Sequence, residues 1–548
     1  MTNRLVILCV WAVTASVVSG QQPVHQRIDK ATAERNGGAM ASLASDAEFL
    51  RRVYLDLTGI IPAAAETRKF LADSDPNKRA KTIDLLLASK DFSRRMREVV
   101  SVMLLERRAG TVISDQEWNK FVEGAFAADM PWDQFVRELI SADGSDARTR
   151  PAIRFFVDGG RSSHDQMTQD VARLFLGMNL QCAQCHNDRN IREYEQAHYF
   201  GIYAYLRQSK LQTDKSQRAF LIETVAKDKM EFQSVFSKNK QFTGPRLPDR
   251  GEVAVPAFKK GDECAAPAKD GFPGVPKFRP RQLLARDLTA ADNRRFVRNA
   301  VNRFWFLMMG RGLVHPLDLL HVKNPASHPD LLEFLVDDFV AHKFDVKYLL
   351  RQIALSQSYQ RSSILPGDID PAAVKPESYR VANAKGLSSE QLAWSLMRAT
   401  GNLERIAATP LSKKSKFTYK DYVNGRLPAP DNLSDVMKLF AAAFGNSAGS
   451  PEVDFTPSAS QSLFLLNDKL LRNWLTPRDG NLVDRLTKES NSDRIAEELY
   501  LVSLSRLPDD EEKALVRGSL ERHKSRRSQA LGDLAWALLT SAEFRLNH

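Results

Sequence analysis

Apolar residues recur along most of this chain at the spacing of an α-helix. Met167, Val171, Leu174, Phe175 and Met178 fall on one helical stripe. Leu332, Leu335, Val336, Phe339 and Val340 make a second, and Leu531, Leu534, Ala535, Leu538 and Ala542 a third. Helix punctuation agrees with the period. The stretch Ala47–Leu57 reads as amphipathic, with Thr58-Gly59 ending it and Pro62 opening the next helix. Ser327 is placed as an N-cap, with Asp330 where a capping-box acid belongs. Residues 207–280 break the pattern. They are rich in Lys, Gly and Pro, and alternate at 230–236 and 252–256, which predicts a few short strands. At roughly 100–200 residues per domain, 548 residues hold several. The expected fold is mainly α: helical domains over 21–206 and 281–548, joined by an irregular connector over 207–280. No fixed-period repeat indicates a solenoid.

Residues 1–20 open with Arg4, run apolar from Leu5 to Val18 and end in Val18-Ser19-Gly20. That is the pattern of a signal peptide cleaved after Gly20, and the run is shorter than the ~20 residues of a membrane span. A periplasmic or secreted protein is expected, an uncleaved anchor being the other reading. No later segment is apolar and long enough to span a bilayer, so no transmembrane segment is expected after cleavage.

Four cysteines are too few for a disulfide framework but enough for one specialised site. Cys9 leaves with the signal. Cys264 stands alone, either as an exposed thiol or as a quiet buried one. Cys182 and Cys185 share Gln181-Cys182-Ala183-Gln184-Cys185-His186. In an exported chain, CxxCH is the attachment motif for haem c. Thiols at i and i+3 reach two vinyl groups, and the adjacent imidazole, His186, becomes the proximal iron ligand. Three other readings compete. A redox dithiol is expected beside a βαβ pattern, whereas these flanks read as helical. Zinc needs further ligands, and there is no second CxxC. A disulfide between Cys182 and Cys185 leaves His186 unexplained.

The sixth iron ligand is less defined. Met178 precedes the motif too closely, and Met230 comes later. His198 shares an apolar face with Tyr194, Gly201, Ile202 and Tyr205, and is the candidate distal ligand. Its plainer role is a hydrogen-bonded core histidine, and a five-coordinate iron is the alternative. Tyr194, Tyr205 and Phe200 suit either a porphyrin pocket or ordinary core. His315, Asp318, His321 and His328 crowd together in sequence and suggest either a metal or acid–base site, or only a loop before a helix.

Lys and Arg number 78 against 67 Asp and Glu, a formal charge of +11 that loses one unit with Arg4. The excess and the basic run at 522–527 suit an acidic partner or an anionic glycan, or simply a solvated face. No nucleic-acid module is present, so nucleic acid is not an expected partner.

Longer motifs carry a family resemblance. Phe49-Leu50-Arg51-Arg52-Val53-Tyr54-Leu55-Asp56-Leu57-Thr58-Gly59-Ile60-Ile61-Pro62, Asp129–Leu139 and Val171–Gly177 leading into the CxxCH resemble the DUF1549 domain, also called planctomycete cytochrome-like domain 2. Asn302–Trp305, Gly310–Val314, Asn324–Pro329, Leu387–Leu392, Leu463–Asp468 and Ser541–Phe544 are similar to its partner domain, DUF1553. The resemblance implies an exported, cytochrome-like protein of planctomycetes or related bacteria, often encoded beside sulfatase-like DUF1501 proteins. It implies no catalytic residue. Many members read CHDHP after the second cysteine; here the run is Cys185-His186-Asn187-Asp188-Arg189, which removes the second histidine as a ligand.

Three function classes follow. The first is a monohaem protein exchanging electrons with an exported partner. The second is a haem-free binding or scaffold protein for cell-surface or polysaccharide processing, with CxxC as a disulfide. The third is an enzyme on anionic polysaccharide that uses the histidines of 315–328.

Overall fold

Ser45 accepts a hydrogen bond from the Glu48 amide at 3.2 Å and starts the helix Asp46–Thr58, which Gly59 ends at φ 71°. The structure, a computed structural model, describes residues 22–548 other than 36–37, 159–162, 227, 366, 368, 411–416 and 453–457. The expected signal peptide and Cys9 lie outside the described residues. The chain is mainly α-helical, and its four sheets among the described residues are antiparallel pairs of short strands. Three of those pairs fall in the expected connector: Ser209–Thr213 with Ala219–Glu223, Met230–Gln233 with Lys240–Thr243, and Cys264–Ala266 with Val275–Pro276. The alternation at 230–236 thus marks a real strand, whereas that at 252–256 does not. There the backbone is extended without a ladder, held by Val253 N donating to Pro245 O at 2.7 Å.

Two hydrophobic cores organise the molecule. The first runs from Ile28 to Tyr379 and draws on both sides of the 207–280 stretch. Trp132, from the helix Trp132–Ser141, meets Phe304, from the helix Arg294–Met309, edge to face at 5.2 Å. The second core takes residues from Leu387 to Phe544 together with Leu55, Ile60 and Ile61. The Asp46–Thr58 helix therefore serves both, giving Phe49, Leu50, Val53, Tyr54 and Leu57 to the first core and Leu55 to the second. At about 1.5–3 kcal/mol per fully buried large apolar side chain, such sharing couples the two cores strongly.

That double duty corrects the amphipathic reading of residues 47–57. The helix is buried on every side from Phe49 to Thr58, polar residues included. Burying a guanidinium is costly unless its donors are used. Arg51 donates to Ser503 O at 2.9 Å and Phe544 O at 2.8 Å, and Arg52 to Tyr359 O at 2.6 Å and Arg361 O at 2.7 Å.

The stripe at Leu332, Leu335, Val336 and Phe339 lies on the helix Pro329–Ala341 and is buried. Its start differs from expectation. His328 is the N-cap residue, and Pro329 at the first helical position supplies the fixed φ. Ser327 instead donates its amide to Leu313 O at 2.8 Å and holds its hydroxyl 3.0 Å from His328 Nδ1.

Candidate functional site

The CxxCH motif is positioned by the end of the helix His164–Leu176. Gly177 closes that helix at φ 65°, and a Cβ there would lie 2.1 Å from Leu320 Cδ1, so any other residue is strained and must displace Leu320. The chain then runs along the second half of the molecule, Asn179 N donating to Asp318 O at 3.1 Å. Cys182–Gln184 forms a single 3₁₀ turn, anchored by the buried Ala183. Cys185 N and His186 N both donate to Cys182 O, at 3.2 and 3.3 Å, so the turn carries both thiols and the imidazole.

Cys182 and Cys185 are exposed, and both are free thiols. His186 is half-buried. Its Nδ1 lies 2.7 Å from Asn187 O, and Nε2 makes no hydrogen bond among the described residues. A carbonyl on Nδ1 fixes the tautomer with its proton there and leaves the Nε2 lone pair outward, as in metal-ligating imidazoles. Asn187 also accepts from Gln196 N at 2.8 Å through Oδ1, tying the motif to the start of the helix Gln196–Leu206. Gln196 Nε2 reaches Gln233 O at 3.1 Å and Gln184 O at 3.4 Å.

The turn of the Met230–Thr243 hairpin covers the imidazole. Val235 N donates to Cys185 O at 3.0 Å, and the Phe236 ring sits 5.1 Å from the His186 ring. Arg189 lies over the same phenyl ring at 4.7 Å. Phe200 stacks on Phe232 at 4.9 Å, fixing the hairpin to the Gln196–Leu206 helix. Val235 and Phe236 are nonetheless 66% and 65% exposed, leaving an apolar tip beside the thiols. The donor set fits a covalently held haem: two accessible thiols one turn apart and an oriented imidazole. The site is an open surface rather than an enclosed cavity.

Of the other sequence candidates, Phe200 packs on the covering hairpin and Tyr194 O accepts from Asp188 N at 2.9 Å, while the histidines bond elsewhere. His198 is two residues from Phe200, about 200° round the helix, and so leaves the face that meets the hairpin. Its Nδ1 bonds Glu193 O at 2.9 Å, and burial holds its pKa below the ordinary range. Tyr205 and Tyr194 are buried core groups whose hydroxyl pKa values burial pushes up. The histidines of 315–328 are dispersed. His315 stacks near Phe306, Asp318 pairs with Arg173 and Arg303, His321 meets Tyr194, and His328 packs against Tyr379. No group of three or more His, Cys, Asp or Glu suited to a metal ion occurs among the described residues. Cys264 is half-buried on its strand, its Sγ close under Gly274. Asn187 and Phe236 went unseen in the sequence; the only signal was Asn187's adjacency to the motif.

A helical protein with two cores sharing one buried helix, and a surface turn bearing CxxCH, is the class these features define. Residues 23–211 match the family PSCyt2, described as a protein of unknown function (DUF1549), and residues 280–520 match PSD1, described as a protein of unknown function (DUF1553). The chain belongs to the proteins that carry these two domains in succession. No curated protein and no solved structure matches it.

Proposed function

We propose that this chain is an exported c-type cytochrome-like protein that carries one covalent haem at Cys182 and Cys185, with His186 as iron ligand. It would pass electrons to or from an exported partner. The observation that carries the reading is the Asn187 carbonyl 2.7 Å from His186 Nδ1, beside two exposed free thiols. Bound haem supplies one-electron chemistry at iron. Cys182 and Cys185 hold the porphyrin by thioether bonds, and the buried Ala183 and the Gln196 amide keep their turn in place. Asn187 fixes the imidazole, and Phe236 shields one side of it from water. The exposed Val235 and Phe236 offer a small apolar patch for a transient redox partner. Export rests on the signal-like residues 1–20. A DUF1501-type sulfatase-like protein is a candidate partner through the family resemblance alone, and the basic excess leaves an anionic glycan as another.

The test is expression of the full chain with a cytochrome c maturation system. About one iron per chain and a covalent haem stain are expected, both lost in a Cys182→Ser, Cys185→Ser variant. Protein that stays colourless with intact cysteines overturns the reading and leaves the haem-free scaffold.

A further inference from the structure

A cleft of about 340 Å³ lies between the two cores, with none of the CxxCH residues in its wall, and combines charged with apolar side chains. One wall is the helix Lys90–Leu105; the facing wall is the segment Leu387–Leu392 at the start of the helix Ser389–Ala399.

Its charges do not cancel evenly. Six carboxylates line it, and each has a cation within ion-pair distance. Asp56 has Lys385, Glu98 has Arg94 and Arg97, and Glu106 has Arg108 and Arg173. Asp318 has Arg173 and Arg303, while Glu390 and Glu452 share Arg107. Arg95 and Arg545 also line the cleft, and neither forms an ion pair among the described residues. The Arg545 side chain has a single hydrogen bond among the described residues, to Ser462 Oγ at 3.2 Å. Arg95 is the stronger anomaly. It is only 7% exposed, and among the described residues its Nε has no partner and its side chain's one hydrogen bond is a 3.5 Å contact from Nη1 to Ser388 Oγ. Gly59 lets the guanidinium stem lie there, since a Cβ at that position would come within 2.7 Å of Arg95 Cδ.

Glu98, Glu390 and Asp56 act on this guanidinium only through space, and a desolvated guanidinium without a direct ion pair is a net cost to the fold. Its fork of donors fits a carboxylate in two parallel hydrogen bonds. Ser388 is the N-cap of the Ser389–Ala399 helix, so the positive end of that helix dipole faces the same space. Val99, one turn further along the helix from Arg95, and Val102 and Met103, two turns along, give the cleft an apolar wall together with Leu307 and Phe444. Cleft size and lining match those of small-ligand sites.

We infer that this cleft binds a small organic carboxylate, its head on Arg95 beside Ser388 and its apolar body against Val99, Val102 and Met103. None of Cys182, Cys185 or His186 takes part. Success or failure here is therefore independent of haem attachment.

The probe is octanoate added to the purified full chain, followed by calorimetric titration and thermal unfolding. Octanol, which lacks the charge, and acetate, which lacks the body, are the controls. Octanoate is expected to bind saturably and raise the Tm, with both controls at least tenfold weaker. Arg95→Met should weaken octanoate binding about 10- to 100-fold. It should leave the ligand-free Tm unchanged or higher, because it removes a buried charge that has no direct ion pair. Val102→Phe, which fills the apolar wall, should abolish binding with Arg95 intact. Absent octanoate binding, equal binding of octanol, unchanged binding by Arg95→Met, or a fall in its ligand-free Tm would each overturn the inference.

Discussion

Lys385 Nζ lies 2.5 Å from Asp56 Oδ1 across a separation of 329 residues, and the pair joins the helix shared by both cores to the strand Lys385–Gly386. Neither group is left half-satisfied. Asp56 also accepts from Tyr359 Oη at 2.8 Å and Asn547 Nδ2 at 2.7 Å. Lys385 donates further to Met308 O at 2.8 Å and Leu307 O at 3.3 Å, covering carbonyls at the end of the Arg294–Met309 helix. Although both residues border the cleft, this lysine caps a helix and is saturated, which separates it from Arg95.

Removing one partner should therefore be costly. Lys385→Met strands a buried carboxylate and is expected to destabilise the chain by about 3 kcal/mol in urea unfolding. Asp56→Asn with Lys385→Met should lose at least about 1 kcal/mol less than the two single losses added together. Strict additivity would mean that the two groups act separately.

Gly177 sets the direction in which the chain leaves the His164–Leu176 helix toward Cys182. Its φ of 65° costs a residue with a side chain about 1–2 kcal/mol, before the overlap with Leu320 is counted. Gly177→Ala is expected to lower stability by about 2–3 kcal/mol and to reduce haem incorporation in the maturation experiment. A variant as stable as the parent would show that the Leu320 contact relaxes freely.

What the sequence made legible was local. The stripe Leu332–Phe339 becomes a buried helix face because the 3.6-residue period needs no knowledge of distant partners. The CxxCH could be found because its three chemical groups are adjacent in the chain. The burial of Arg51, Arg52 and Asp56 in a stretch that reads as amphipathic was not legible, because their partners, residues 359, 361, 385, 503, 544 and 547, lie hundreds of positions away. The cleft was invisible for the same reason. His198 takes the plainer of its two expected roles, a half-buried histidine bonded to Glu193 O, because an apolar helical face marks burial but not which neighbour the side chain meets.

Thiol accessibility separates the states of the CxxCH turn. In haem-free chain lacking residues 1–20, the exposed Cys182 and Cys185 should react at once with a thiol reagent, and the half-buried Cys264 more slowly. After haem attachment only Cys264 should remain reactive. Slow labelling of Cys264 alone in colourless, unreduced protein would instead show Cys182 and Cys185 joined as a disulfide.

His328 makes the fold sensitive to mild acid. Burial, aided by Arg35, lowers its pKa from 6.5 to about 4, so the unfolded chain binds this proton more readily than the folded one. Stability from this group is complete above about pH 6.5 and is lost as pH falls through 4, by roughly 3 kcal/mol in all. Burial shifts His198, His321 and His548 in the same direction, so the whole chain should weaken across that window. His328→Asn keeps a polar atom near the Ser327 hydroxyl but cannot take up the proton. Urea unfolding at pH 7 and pH 4.5 should then show a shallower loss in the variant than in the parent, the difference being the His328 share. Parallel losses in the two proteins would assign the acid sensitivity to other groups.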